Sequence, residues 1–262
     1  MSILGLILLA LAALLFIVSA SHKRKLGLIR LTETSTIAEL RALAETGDEH
    51  ALHTPIEVKG TVVCDEPLLA ELSETACVYY AMKVEWEFEE IFYEDDERTK
   101  VSHSREGSEV LAQEKRLVPF WVEDYNGRIL VDPEGAEIIA EKTLSRIETD
   151  EGAPDSVITM GAFAMDAPWL TSLEERQPRE YHFEEEAIPL GVEVYVLGEA
   201  AMRNGELVIQ KSARGGKFLI SVKREEELMS GAKQSMLMWR LGAWLCGLLG
   251  LAAIFFGSTC FS

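Results

Sequence analysis

Residues 76–93, ACVYYAMKVEWEFEEIFY, alternate apolar and charged side chains with a period of two. Successive side chains of a strand point to opposite faces. Val84, Trp86 and Phe88 therefore share one face, and Lys83, Glu85, Glu87 and Glu89 share the other. The stretch predicts one long strand with a buried side and a solvated charged side.

Working outward, Ile56, Val58, Val62 and Cys64 read as a first strand, broken at Asp65-Glu66-Pro67. Residues 94–116 are charged and loop-like, with a hairpin return as the alternative. Leu117–Val122 and Arg128–Val131 flank the turn signal Asp124-Tyr125-Asn126-Gly127 and form a hairpin. Asp132-Pro133-Glu134-Gly135 ends it, and a short helical piece is expected around Ala136–Ala140. Residues 148–156 read as an acidic loop. Tyr181, Phe183 and Glu185 alternate with His182 and Glu184 in a further strand. Residues 191–200 pair with 206–210 across Arg203-Asn204-Gly205, and Gly215-Gly216 leads into a last strand at Phe218–Val222. Upstream, Thr36-Ile37-Ala38-Glu39 is a capping box opening a short helix that Gly47 stops. About eight strands with few helices predict a β-rich, partly closed barrel or folded sheet.

Both ends are apolar. Residues 3–20 (ILGLILLALAALLFIVSA) and 241–257 (LGAWLCGLLGLAAIFFG) carry no charge. At about 1.5 Å per residue each approaches the roughly 30 Å of a bilayer core. The fold class expected is a membrane-anchored α+β protein, with two transmembrane helices flanking a β-rich, partly barrel-like domain. The divisions are 1–21 (first span), 22–54 (connector with the short helix), 55–222 (β-rich domain), 223–240 (juxtamembrane helix) and 241–258 (second span). Val18-Ser19-Ala20 would suit a signal-peptide cleavage site, but no Lys or Arg precedes the run, which favours an uncleaved anchor. Lys23, Arg24, Lys25, Trp239, Arg240 and Trp244 fit a membrane interface. The basic flanks place the domain on the cytoplasmic side and both termini outside. Ala243 and Gly247 form a small-xxx-small pair that would let the helices pack or oligomerise.

The chain has 44 acidic and 25 basic residues, a net charge of −19. A phosphate backbone needs a basic face, so nucleic acid is excluded as a partner. Of the four cysteines, Cys64 and Cys77 lie in strand-like surroundings, and no C-x-x-C occurs. A structural zinc finger therefore cannot be assembled. His50 and His53 read as a solvated loop, and Ser102-His103-Ser104 lacks a positioned nucleophile with an orienting third group. Glu94-Asp95-Asp96-Glu97 lacks the spacing of a calcium loop. No catalytic residue, metal site or cofactor is expected.

Val58-Lys59-Gly60-Thr61-Val62, Pro119–Pro133 (PFWVEDYNGRILVDP) and residues 188–222 (IPLGVEVYVLGEAAMRNGELVIQKSARGGKFLISV) resemble, in that order, the GIDE or BAM (beside-a-membrane) domain family. That family includes MULAN-type mitochondrial-outer-membrane E3 ubiquitin ligases, and the resemblance covers nearly the whole chain. In those ligases a C-terminal RING recruits the ubiquitin-loaded E2. Here five residues follow Gly257 and only Cys260 is a candidate ligand, so the match is to a RING-less, prokaryote-type member. The resemblance also implies the opposite sidedness, since the mitochondrial relatives carry the domain in the intermembrane space.

The function expected is a non-catalytic, membrane-adjacent binding or sensor module, with the bilayer and a protein partner at its surface. The alternatives are ligase-type activity inherited from the family, or a scaffold for a membrane complex. The partner surface is expected at the hairpins bearing Phe120 and Tyr125, and Tyr195 and Glu199, whose aromatics stand beside acidic groups. Trp86 and Trp121 are read as core.

Overall fold

Helix α1 (Ile37–Glu45) comes first among the described elements, and its start follows from the sequence. Thr36 accepts from the Glu39 amide at 3.3 Å, and Glu39 reaches back to the Thr36 amide at 2.8 Å. Two orphan donors are thus satisfied reciprocally. Ile37 and Leu40 lie on the buried face. The strands follow as β1 (Pro55–Val63), β2 (Leu68–Leu69), β3 (Ala76–Asp96), β4 (Thr99–Leu117), β5 (Phe120–Asp124), β6 (Gly127–Val131) and β7 (Glu137–Ile139). After them come β8 (Glu141–Thr149), β9 (Val157–Met160), β10 (Phe163–Asp166), β11 (Arg176–Pro189), β12 (Glu193–Arg203), β13 (Glu206–Gln210) and β14 (Leu219–Ser221). The computed structural model describes residues 35–46, 54–96, 99–149, 157–166 and 176–222, with backbone alone for 92–103 and 176–179. It also describes helical positions at 7, 10, 11, 13, 14, 238, 241–243 and 245–249. The chain divides into two units, Met1–Thr34 with Lys223–Ser262, and Ser35–Val222.

Within Ser35–Val222, strands β1, β5, β6, β13 and β12 follow one another, and β12 pairs back onto β1 from Pro55↔Glu199 to Thr61↔Glu193. The ring is closed, and β14 and β7 extend it from the side of β12. Alternation sends Val58, Val62, Val122, Ile129, Val131 and Val196 into one core, which α1 covers with Ile37 and Leu40. Gly60 is required at the β1–β5 crossing, because a Cβ there would stand 2.5 Å from the Glu123 carbonyl oxygen.

The second layer is the antiparallel sheet β4-β3-β11-β8, with β2 at the end of β3 and the β9–β10 hairpin nearby. Its core gathers Tyr80, Val84, Trp86, Phe88 and Phe183 with Ile158, Met160 and Phe163. Trp86 is fully buried, and Phe88 lies 4.6 Å from it centroid to centroid. Glu185 faces this interior. Its carboxylate accepts from the Leu72 amide at 2.7 Å, the Ser73 amide at 3.2 Å and the Thr143 hydroxyl at 3.0 Å. The β2–β3 connection is pinned to β11 by that one side chain.

Several expectations are corrected. A span needs about 20 apolar residues in one helix. Among the described residues no helix is long and apolar enough to cross a membrane, and α1, the longest element of that kind, has nine residues. The class with two flanking transmembrane helices, and the two-pass placement with a cytoplasmic domain and outside termini, are therefore not supported. What the described chain shows is mostly β, with a partial barrel and short helices. Lys23, Arg24, Lys25, Trp239, Arg240 and Trp244 lie outside the described residues, as do His50 and His53.

Of the two readings of residues 94–116, the structure shows the hairpin return and not the loop, because register between β3 and β4 runs from Tyr79↔Leu117 to Asp96↔Thr99. The polar composition that reads as loop reflects solvent on both faces of much of that ribbon, since consecutive residues at 104–106, 108–110 and 115–117 are exposed. Residues 137–139 are a strand and not a helix, since β14 offers them a parallel edge. Cross-strand pairing overrides the local preference there.

Candidate partner-binding groove

Asp124 organises the corner where α1 meets the β5–β6 hairpin. One carboxylate oxygen accepts from the Asn126 amide at 2.6 Å, holding the turn, and the other accepts from the Ile37 amide at 3.0 Å, holding the helix start. Arg41, one turn further along α1, donates to the Arg128 carbonyl at 2.9 Å. The Arg128 guanidinium stacks over the Trp121 ring, 4.4 Å from its centroid. The β12–β13 turn closes the other side through Met202, Gly205, Glu206 and Leu207. Asn204 and Gly205 both take positive φ there (55° and 81°), as a two-residue hairpin turn demands.

Together Arg41, Ala44, Glu45, Trp121, Arg128 and these turn residues enclose a groove of about 280 Å³. Arg41 and Arg128, the Trp121 ring and the half-exposed Met202 line it together with Glu45 and Glu206. A guanidinium lying over an aromatic face keeps its N–H edge, in its own plane, free to meet a carboxylate in two-point fashion.

Of the four residues expected on a partner surface, the structure exposes one. Tyr125 is 89 % exposed at the β5–β6 turn. Phe120 and Tyr195 are buried in the barrel, and Glu199 is 7 % exposed. Alternation explains this, since Phe120 and Val122 share the inward face of β5 and Trp121 takes the other. Trp121, read from the sequence as core, is half-buried and lines the groove instead. The hairpin is legible in the sequence, but which of its faces lies outward is not. The signal that was missed is the cross-strand neighbourhood of Trp121 and Arg128, two positions that a hairpin register brings together.

Tyr195 and Glu57 make a separate buried pair. The Tyr195 hydroxyl donates to Glu57 at 3.1 Å, and Lys59 approaches the same carboxylate at 3.2 Å. It holds β1 on β12 within the ring. Cys77 is fully buried, and burial, reinforced by the Glu185 charge, pushes its thiol up to about 11. A thiol so placed is the opposite of an activated nucleophile.

On the charged face of the sheet, Glu87 of β3 and Glu180 and His182 of β11 converge, with one donor atom from each lying within 4.8 Å of the others. They are the candidate metal-holding residues among those described. The family model described as GIDE, E3 Ubiquitin ligase, matches residues 89–255, about two thirds of the chain. This chain belongs to the GIDE family. No curated protein and no solved structure matches it. The GIDE match takes in the β5–β6 and β12–β13 hairpins that build the groove.

Proposed function

We propose that this GIDE-family chain is a non-catalytic binding module that captures an acidic segment of a protein partner in the Arg41–Trp121–Arg128 groove. The observation that carries this reading is the pair of guanidiniums, one stacked on an indole, set in a groove of a chain whose net charge is −19. Glu45 and Glu206 balance the two guanidiniums in the groove, so recognition rests on two-point contact between the Arg128 guanidinium and an acidic side chain, with the Trp121 ring beside it, and not on a local excess of positive charge. Arg and Trp are also the residue types that dominate binding energy at interfaces. Cys77, buried and with its thiol raised, is not itself placed to act as a thioester-forming nucleophile.

The test uses the full chain and an N-terminally labelled peptide of alternating Glu and Leu, followed by fluorescence anisotropy. Saturable binding is expected, weakened about tenfold or more by Arg128→Glu and by Arg41→Glu, a loss of at least about 1.4 kcal/mol. Arg128→Lys should also weaken it, because an ammonium cannot stack and chelate at once. Binding that survives both charge reversals would reject the groove. In parallel, discharge of ubiquitin from a loaded E2 should not quicken when the chain is added, and a quickening would establish ligase activity in place of simple capture.

A further inference from the structure

We propose that Glu87, Glu180 and His182 form a binding site for a divalent transition cation, with Zn²⁺ as the probe of choice. The geometry begins with a register defect. Between Pro178 and Glu180 the β11–β3 ladder shifts by one residue. A bulge of that kind re-aims the side chain that follows it. Glu180 then pairs directly with Glu87, and His182 pairs with Glu85, all on the charged side of the sheet. Two like charges directly opposite one another on a sheet face are destabilising unless something sits between them.

What faces them is the His182 ring. Its Nε2 atom is covered, lies 3.4 Å from a Glu87 oxygen and 3.7 Å from a Glu180 oxygen, and makes no hydrogen bond. Zinc binds imidazole nitrogen and carboxylate oxygen at about 2.0–2.2 Å, so two ligands of one tetrahedral ion stand roughly 3.4 Å apart. The observed separations match that spacing better than they match the hydrogen bond of about 2.9 Å that an imidazole and a carboxylate ordinarily form. The donor set also suits the ion. A dipositive cation would neutralise both carboxylates, and the imidazole adds the nitrogen that calcium and magnesium do not seek. Three protein ligands leave a coordination position open, and the carboxylates are half-exposed, so the ion has an entry path. Bound there, it would bridge β3 and β11.

The site is separate from the groove and independent of the capture reading. The experiment is titration of the chelator-stripped full chain with Zn²⁺ by calorimetry, with Co²⁺ absorption as a second readout. One equivalent is expected to bind. His182→Ala should lower the affinity roughly tenfold or more, the size that even outer-shell losses reach at metal sites. Glu87→Gln and Glu180→Gln should each weaken it. A His50→Ala/His53→Ala double variant should bind like the parent, and the visible Co²⁺ bands should vanish only with the His182 change. The three positions are surface-facing, and circular dichroism would check that each variant is folded. Absence of saturable Zn²⁺ binding, or equal affinity in His182→Ala, would overturn the proposal and leave only diffuse attraction of cations to an acidic chain.

Discussion

A carboxylate that is 1 % exposed and accepts three hydrogen bonds, as Glu185 does, is a structural joint. Removing it orphans the amides of Leu72 and Ser73, and a buried unsatisfied donor costs about 1–3 kcal/mol. Glu185→Ala is expected to lose about 3 kcal/mol, read as a fall of roughly 6–12 °C in melting temperature for a domain of this size. A loss below about 0.5 kcal/mol would show that the loop finds other acceptors. Gly60 and Gly205 separate two reasons for glycine. At Gly60 an added methyl meets the Glu123 backbone, whereas at Gly205 it meets open space and only the positive φ resists it. Gly60→Ala should therefore cost more than about 2 kcal/mol and Gly205→Ala about 1 kcal/mol, in parallel urea titrations. Equal losses would mean that β1 and β5 can move apart without penalty.

At the scale of elements, α1 depends on two caps from different parts of the chain. Thr36 is local, while Asp124 reaches across from the hairpin. Thr36→Ala should cost about 1 kcal/mol. Asp124→Ala should cost more, since it frees the turn and the helix start together, and should also weaken peptide capture by loosening Arg41. If the two losses are equal and capture is unchanged, α1 is not positioned by the hairpin. Glu39 adds a pH dependence. Its hydrogen bonds to Thr36 hold its carboxyl below the ordinary 4.5, so its contribution is present above that value and fades as pH falls through the lowered one. These elements also show what could be read from sequence. The capping box, the long strand at 76–93, and both hairpins are local patterns in which a few neighbouring residues decide the outcome. The strands at 99–117, 137–139 and 141–149 are polar or short, and exist because an edge of β3, β14 or β11 is there to pair with. For the candidate site, the Asp124 turn was legible, whereas the stacking of Arg128 on Trp121 and the convergence of Glu87 with His182 depend on cross-strand register and a bulge.

Across the whole molecule, three buried acids that ordinarily stay protonated set an alkaline limit. Burial, aided by Glu185, Glu186 and Glu71 respectively, raises Cys77 from 9.0 to about 11, and Tyr79 and Tyr80 from 10.0 to about 12. A raised folded value means the native state keeps protons that the unfolded chain gives up. The stability is fully present below pH 9 and is lost as pH rises through about 12. Urea midpoints should fall across that window, and Tyr79→Phe with Tyr80→Phe should flatten the fall; an unchanged slope would place the alkaline limit elsewhere. The closed ring has a consequence of another kind. Its closing contact joins β1, which begins at Pro55, to β12, which ends at Arg203. Synthesis at about 5–20 residues per second separates those two strands by roughly 7–30 s. During that interval β1 pairs with β5 through the three-residue ladder from Thr61 to Val63, and the Ser35 amide donates to the Glu57 carbonyl at 2.9 Å, while the rest of its edge awaits β12. A nascent chain therefore carries the β12-facing edge of β1 unpaired for many seconds before the ring can close.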